Sequence, residues 1–366
     1  MFDLKGLKIC FLAGTLGQGG AERQLFYNLK TLKAEGAEPI VLSLTKGEFW
    51  QGRIEALDIP VIFVGESDWR LRRILKILSV LRTEKPEILQ SQHFYANGYV
   101  AIASRLMGIP VIGAIRNNGW SEARANRPIV KKLGLYGPHR LAVNSRSAMR
   151  VVQKLGVSTS RVHFLPNVVD CRHFTLKPSP CNGIFRLLAV GRLHEQKRFD
   201  RFLNVLRRLS CQSQVPVKGI IVGNGPLETP LKRKAEALGL LPDGVQFLGA
   251  VEDPLPHYHE ADALILTSDW EGTPNVVLEA MACSLPVVAT RVGGVPEILE
   301  HDKTGYLIDP TDEDGAVEAV SRLIHDGQLR SRIGRSAQDY VRKHHSLESL
   351  PKVLKELYEK TLACSN

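Results

Sequence analysis

Residues 264–299 constrain the fold of this chain more than any other stretch. An apolar run at 264–266 is followed by polar, Gly and Pro residues, a helical segment at 276–282, and a second apolar run at 285–290. Short apolar runs bounded by turn residues are typical of buried parallel strands. The stretch therefore predicts strand, helix and strand in succession, the repeating unit of an open α/β sheet, whose ligands bind beyond the carboxyl ends of the strands.

Two carboxylates bracket the start of this helix. Glu271 lies just before the turn, and Glu279 lies eight residues later in the early turns of the helix. Two glutamates so placed are often only a solvated face. Beside a helix N-terminus, whose free N–H groups attract anions, they also suit a sugar nucleotide, because its hydroxyl groups are donors and its phosphates accept from N–H groups.

The length and charge of the chain limit its class. A chain of 366 residues exceeds what one core usually supports, so we expect two domains. Residues 1–170 contain 24 Lys and Arg against 13 Asp and Glu, a net charge of +11, whereas residues 171–366 contain 24 against 25, a net charge of −1. No basic and aromatic alternation predicts nucleic-acid binding. An anionic membrane surface or an anionic acceptor fits the basic half better.

The compartment is predicted to be cytoplasmic. Apolar runs are too short to span a membrane, and the first residues lack the pattern of a signal peptide. The six cysteines show neither CxxC nor Cys/His spacing, so we expect reduced thiols without disulfides and without zinc.

Strands and helices alternate along the whole chain, which predicts parallel sheets covered by helices. A linker rich in Pro and polar residues lies at 170–183. We expect an N-terminal Rossmann-like domain at 1–170, completed by a C-terminal helix at about 347–366, and a second Rossmann-like domain at 183–346. The amphipathic last helix, at 346–362, is expected to return to the first domain.

Several polar groups follow strands of the first domain. A glycine loop containing Gly19 and Gly20 separates the first strand from a helix, an arrangement that admits phosphate but is also a common tight turn. His93 follows the fourth strand, where a catalytic or sugar-binding group would lie, although a lone histidine is often structural. Arg116 and Asn117 end the fifth strand and are candidates for binding a phosphate or an acidic acceptor, or are plain surface groups.

The second domain has comparable loops. Arg192 and Lys197 lie between a strand and a helix, where two cations could bind a diphosphate or simply face solvent. Further tight loops follow the next two strands, at 223–226 and 245–249. The acidic segment 311–314 predicts a helix start rather than a divalent metal site.

These motifs resemble a known family. The pair Glu271-x7-Glu279, the surrounding EGTPNVVLEAMA and the following PVVATxVGGVPEI are similar to the donor-site signature of retaining GT-B glycosyltransferases of family 4. The resemblance implies two Rossmann-like domains with a cleft between them, the donor on the C-terminal domain and the acceptor on the N-terminal one. It further implies transfer of a hexose from a UDP- or GDP-sugar to a hydroxyl of a glycan or lipid-linked acceptor, as in surface polysaccharide or glycolipid biosynthesis, without a cofactor or metal.

The resemblance also implies roles for individual residues. Arg192 and Lys197 would stabilise the leaving diphosphate, while Glu271 and His93 would hold the sugar near its anomeric centre. Glu279 would bind the ribose hydroxyls. The remaining donor-binding residues implied are Gly19, Gly20, Gly191, Asn224, Leu248, Gly272, Thr273, Pro274, Asn275 and Val276. Two positions depart from the family pattern, since Val168 and Arg198 stand where glycine is common.

Other interpretations stay open. The segment Trp69–Arg82 interleaves apolar residues and cations, which predicts either an ordinary helix packed on the sheet or a peripheral contact with the anionic inner face of a membrane. Alternative functions are a sugar-nucleotide 2-epimerase of GT-B fold, distinguished by its products from UDP-GlcNAc, and an inactive GT-B partner subunit, which would bind neither UDP nor GDP.

Overall fold

The structure is a computed structural model, which describes residues 2–65, 69–117, 128–176 and 183–363. The chain divides into two compact units, with unit 1 comprising residues 1–168 and 347–366 and unit 2 comprising residues 169–346. Part of the predicted linker, at 177–182, and the cysteines Cys181 and Cys364 lie outside the described residues. The four other cysteines, Cys10, Cys171, Cys211 and Cys283, are free thiols.

Unit 1 contains, in the described residues, a seven-stranded parallel sheet of order β3-β2-β1-β4-β5-β6-β7. Its strands are β1 (Lys8–Ala13), β2 (Glu38–Ser43), β3 (Val61–Phe63), β4 (Ile88–Ser91), β5 (Val111–Ile115), β6 (Arg140–Val143) and β7 (Val162–Phe164). Its helices are α1 (Gly20–Ala34), α2 (Gln51–Glu55), α3 (Arg70–Glu84), α4 (Asn97–Met107), α5 (Pro128–Tyr136), α6 (Arg146–Lys154) and the C-terminal α14 (Leu350–Leu362).

Helices cover both faces of this sheet because the side chains of β1 alternate between two cores. Ile9 and Phe11 pack in the core that includes residues of α1 and α14. Cys10 and Leu12 pack instead in the core formed with α3 and α4. Period-2 alternation with apolar residues on both faces is the pattern expected of a central parallel strand.

Unit 2 contains, in the described residues, a six-stranded parallel sheet of order β10-β9-β8-β11-β12-β13. Its strands are β8 (Phe185–Val190), β9 (Val217–Val222), β10 (Val245–Phe247), β11 (Ala263–Leu266), β12 (Val287–Thr290) and β13 (Tyr306–Ile308). Its helices are α7 (Phe199–Gln212), α8 (Glu228–Ala237), α9 (Leu255–Glu260), α10 (Asn275–Ala282), α11 (Val295–Ile298), α12 (Glu313–His325) and α13 (Gly327–His344). The predicted α/β class with two doubly wound sheets is confirmed.

Three details differ from the sequence prediction or refine it. Strand β7 was not predicted, since it is three residues long and includes the polar His163. The last helix begins at Leu350 rather than at 346, because Pro351 suits the first turn of a helix and a 3-10 turn at Leu347–Ser349 precedes it. The acidic segment does start a helix, since the Asp312 side chain accepts a hydrogen bond from the Gly315 N–H at 2.8 Å.

Within the described ranges, no helix has both the length and the apolar character needed to cross a bilayer.

Candidate functional site

The candidate residues in both units follow the two strands at which the strand order reverses. In unit 1 these strands are β1 and β4, and in unit 2 they are β8 and β11. The carboxyl ends of such a pair form the crevice in which open α/β sheets bind ligands. The glycine loop follows β1 and His93 follows β4, while Lys197 follows β8 and Glu271 follows β11. Sheet topology alone therefore places two pairs of candidate side chains at two crevices.

In unit 2 the structure brings Lys197 and Glu271 into contact. The Lys197 ammonium lies 2.6 Å from Glu271 Oε1, and the Ser268 hydroxyl donates to the same oxygen at 2.7 Å. Both side chains are largely buried, with 18% of Lys197 and 8% of Glu271 exposed. A buried carboxylate held by an ammonium and a hydroxyl stays ionised and keeps a fixed orientation.

Backbone contacts hold the two loops of this pair together. The Thr267 hydroxyl donates to the Lys197 carbonyl at 2.9 Å, and the Asp269 N–H donates to the Gln196 carbonyl at 2.9 Å. The Gln196 side-chain amide donates to the Trp270 carbonyl at 2.7 Å. The loop after β8 and the loop after β11 are thus one hydrogen-bonded surface, on which Arg192 is exposed to solvent.

Glu279 is placed in the core of the unit rather than on a solvated face. It is 2% exposed, and its Oε2 accepts a hydrogen bond from the Tyr258 hydroxyl at 2.8 Å. It lies on α10, which begins at Asn275 after an extended Pro274. The preceding residues Gly272 and Thr273 are buried, whereas Asn275 and Val276 are half-buried.

Close backbone approach explains several glycines around this loop surface. A Cβ atom at Gly223 would lie 2.0 Å from the Gly191 carbonyl oxygen, and one at Gly293 would lie 1.8 Å from the Glu271 carbonyl oxygen. The loops after β8, β9, β11 and β12 therefore pack backbone against backbone. Asn224 follows β9 with its side chain exposed, and Leu248 is half-buried after β10.

In unit 1 the structure places His93 beside the glycine loop. The Gly14 N–H donates to His93 Nδ1 at 3.2 Å, and His93 Nε2 lies 2.9 Å from Glu22 Oε1. Gly19 caps α1, and Gly20 is the first residue of that helix. The two predicted glycines thus lie at the start of the helix that carries Glu22.

The other candidates of unit 1 lie on a different strand. Arg116 and Asn117 follow β5 and are half-buried, and the Asn144 amide donates to the Arg116 carbonyl at 3.0 Å. Burial raises the pKa of Tyr358 in α14, and the charge of Arg116 opposes that rise, so the guanidinium lies within electrostatic reach of the Tyr358 hydroxyl.

Several polar residues of these crevices were not singled out from the sequence. Glu48 accepts hydrogen bonds from the Thr15 hydroxyl at 2.8 Å, from the Leu16 N–H and from the Thr45 hydroxyl. Although burial alone would raise the pKa of Glu48, these hydrogen bonds lower it. Neither Glu48 nor Tyr258 belongs to a recognisable motif, so no local signal could have identified them.

The two departures from the family pattern have structural explanations. Arg198 has a left-handed backbone, with φ 49° and ψ 47°, which is the conformation glycine adopts without strain. Val168 is buried in the core of unit 1, and its N–H donates to Gln24 Oε1 at 2.9 Å. A side chain at position 168 therefore contributes to packing.

Sequence profiles of two families match the chain. The profile of Glycosyltransferase Family 4 matches residues 18–173, and the profile of Glycosyl transferases group 1 matches residues 182–340. The first match falls almost entirely in unit 1 and the second entirely in unit 2.

Curated relatives are also similar to the chain. It is 30% identical to a phosphatidylinositol N-acetylglucosaminyltransferase component from Arabidopsis thaliana over 62% of its own length and 50% of that protein. It is 31% identical to the GDP-mannose-dependent alpha-(1-6)-phosphatidylinositol monomannoside mannosyltransferase of Mycolicibacterium smegmatis over 59% of its length and 60% of that protein. The chain thus spans little more than half the length of these relatives.

A solved structure has the same fold. The crystal structure of Anabaena HepE in complex with UDP and glucose superposes with a TM-score of 0.84, at 21% identity, over 96% of this chain and 99% of that one. This agreement concerns the fold. Together with the two profile matches and the parallel sheets of both units, it shows that the chain belongs to the family 4 glycosyltransferases of GT-B fold.

Proposed function

We propose that this chain is a retaining hexosyltransferase that moves a hexose from a UDP- or GDP-sugar to a hydroxyl of a glycan or lipid-linked acceptor. The observation that carries the proposal is the ion pair between Lys197 and Glu271, 2.6 Å apart at the carboxyl ends of β8 and β11. An ammonium and a carboxylate held side by side suit a substrate that presents both phosphates and hydroxyls.

In this mechanism the cations act on the leaving group. The bond between the anomeric carbon and the diphosphate breaks, a bond to the acceptor oxygen forms, and the nucleoside diphosphate leaves. Lys197 is fixed by its contact with Glu271, and Arg192 is exposed on the same loop, so both can approach an incoming diphosphate. Preorganised cations of this kind stabilise the negative charge that develops on a leaving phosphate, here in place of a metal ion.

The carboxylates bind hydroxyl groups. Glu271 orients the sugar near its anomeric centre, and Glu279, fixed by the Tyr258 hydroxyl, accepts from the ribose hydroxyls. The half-buried backbone of Asn275 and Val276 and the loop positions Gly191, Asn224 and Leu248 complete donor binding in unit 2.

Unit 1 is proposed to bind the acceptor and to contribute His93 and the glycine loop to the sugar. The names of the mannosyltransferase and the N-acetylglucosaminyltransferase relatives specify phosphatidylinositol acceptors, which supports a lipid-linked acceptor. The net charge of +11 on residues 1–170 supports a site that faces anionic lipid at the inner membrane surface, with Arg116 and Asn117 as acceptor ligands.

A donor screen tests this function. We expect slow release of free sugar from one class among UDP-, GDP- and ADP-sugars, since hydrolysis needs no identified acceptor. Lys197→Ala should reduce that rate more than tenfold because the leaving diphosphate loses a fixed cation. Lys232→Ala is the matched control, since Lys232 pairs with Glu228 on the exposed surface of α8.

Three outcomes would contradict the proposal. A folded Lys197→Ala variant with wild-type turnover would remove the assigned role of Lys197. Conversion of UDP-GlcNAc to its 2-epimer without glycoside formation would identify an epimerase. Absence of UDP and GDP binding in calorimetry would identify an inactive scaffold.

A further inference from the structure

The side chain of His93 uses both of its ring nitrogens inside the protein. Its Nδ1 accepts from the Gly14 N–H at 3.2 Å, and its Nε2 lies 2.9 Å from Glu22 Oε1. A backbone N–H can only donate, so Nδ1 must keep its lone pair and the ring proton must reside on Nε2. The carboxylate of Glu22 then accepts that proton in a hydrogen bond. This geometry defines a neutral imidazole in one tautomer.

The glycines of the loop make room for this arrangement. A Cβ atom at Gly19 would lie 2.1 Å from Glu22 Oε2, and one at Gly14 would lie 1.9 Å from the Tyr95 hydroxyl oxygen. The Tyr95 ring is stacked on His93 with a centroid distance of 5.3 Å and an angle of 20°. Glu22, His93 and Tyr95 thus fill the space that side chains at Gly14 and Gly19 would occupy.

The charge around the imidazole is negative. Glu22 is 6% exposed and approaches the ring from α1, while Glu48 approaches from the loop after β2. Burial raises the pKa of Tyr95 to about 12, and the charges of Glu22 and Glu48 add to that rise. The titratable groups that face His93 are therefore two carboxylates and a phenol, of which only the carboxylates are charged at neutral pH.

We propose that Glu22 is a positioning residue for glycosyl transfer, which holds His93 neutral, with its proton on Nε2 and its ring plane fixed. The inference rests on the proposed role of His93 beside the donor sugar. A glycosyl carbon that loses its leaving group becomes positively charged in the transition state. A neutral imidazole paired with a carboxylate supplies negative potential there, whereas an imidazolium would oppose that charge.

Nitrogen NMR of the full chain tests the tautomer without any assay of activity. With 15N-labelled histidine, the resonances of His93 among the 11 histidines are those that disappear in His93→Gln. We expect a protonated Nε2 and an unprotonated Nδ1 throughout pH 6 to 8 in the wild type, and exchange between both tautomers in Glu22→Ala. A wild-type ring protonated on Nδ1 would overturn the inference.

Kinetics tests the consequence for transfer. Glu22→Gln keeps a group that accepts from Nε2 but removes the charge, so kcat should fall about tenfold or more while the donor KM changes less than about threefold. Glu38→Gln is the control, since Glu38 is an exposed carboxylate of β2 in the same unit. Wild-type kcat in Glu22→Gln would overturn the role in transfer. If the wild type turned over no donor, the proposed function would fail while the NMR result still decided the tautomer.

Discussion

Arg198 shows how single residues adapt the loop after β8. Its left-handed backbone costs roughly 1–2 kcal/mol for a residue with a side chain. The guanidinium makes two contacts with Asp200, at 2.9 and 2.8 Å, and one with Asp269 at 3.2 Å. Arg201 binds the other oxygen of Asp269 at 2.6 Å. These partly exposed ion pairs orient the loop that carries Lys197, and the network offsets part of the backbone cost.

Gly293 provides the sharpest prediction at this scale. Gly293→Ala should destabilise unit 2 by about 2–5 kcal/mol, the sum of a left-handed alanine and a forced displacement of the backbone. Its φ is +54°, and its new Cβ would lie 1.8 Å from the Glu271 carbonyl oxygen. Urea unfolding measures the loss, and calorimetry with UDP measures the expected weakening of donor binding.

Gly239→Ala separates strain from collision. Gly239 has a similar φ of +67° but no atom within 4 Å of the added Cβ, so only the left-handed cost of roughly 1–2 kcal/mol is expected. Equal destabilisation by the two variants would show that the approach of Gly293 to Glu271 is unimportant.

At the scale of elements, α3 is only half covered by its own domain. Its buried residues, Ile77, Leu78 and Leu81, belong to the C-terminal half of the helix. The apolar residues at the other end are exposed, at 71% for Trp69, 69% for Leu71 and 64% for Leu75. The interpretation of 69–82 as a helix with its whole apolar face on the sheet is therefore wrong for the first two turns.

The exposed end of α3 is predicted to contact anionic lipid. Arg70, Arg72 and Lys76 are exposed beside the apolar residues, and each cation contributes about 1 kcal/mol near an anionic leaflet. We expect the protein to sediment with vesicles of phosphatidylcholine and phosphatidylglycerol at low salt but not with phosphatidylcholine alone. The double variant Arg70→Glu and Arg72→Glu should lose most of this binding.

A matched change elsewhere controls for net charge. Arg332→Glu with Arg335→Glu alters the charge equally on α13 of unit 2 and should leave vesicle binding intact. Equal losses in both double variants would indicate a general charge effect. Binding that survives reversal of Arg70 and Arg72 would remove α3 as the lipid contact, and a concentration-dependent dimer would show that a second copy covers the helix instead.

At the scale of the whole molecule, unit 1 is assembled from two distant parts of the chain. Helix α14 returns to it from the C-terminus, and Leu354, Leu357 and Tyr358 are fully buried in the core that contains β1. The Tyr358 hydroxyl donates to Gln90 Oε1 in β4 at 2.9 Å. The C-terminal helix is thus an integral part of the sheet that carries His93.

This assembly predicts independent local stabilities. Leu354→Ala should destabilise unit 1 by about 2–5 kcal/mol through a core cavity, and so accelerate amide exchange in β1 and β4. Hydrogen exchange with mass spectrometry measures this in the full chain. Leu323→Ala, at an equally buried position in unit 2, should instead accelerate exchange in β11 and β12. Acceleration of both units by either variant would contradict two separate cores.

The sequence by itself determined the elements and their class. Apolar runs of four to six residues, separated by helical periodicity, predicted most of the strands because parallel strands buried on both faces must be apolar throughout. The order of residues in 264–299 also identified the family, since a long motif preserves both turn geometry and side-chain chemistry. Strand β7, short and polar in part, did not carry that signal.

Only the tertiary structure decided which groups meet. The contacts of Lys197 with Glu271 and of His93 with Glu22 join residues 74 and 71 positions apart, and no local pattern encodes such distances. The same holds for the exposed end of α3, because periodicity defines an apolar face but not how much of it the neighbouring elements cover. Local sequence specifies the backbone, whereas packing between distant segments fixes side-chain partners and exposed surfaces.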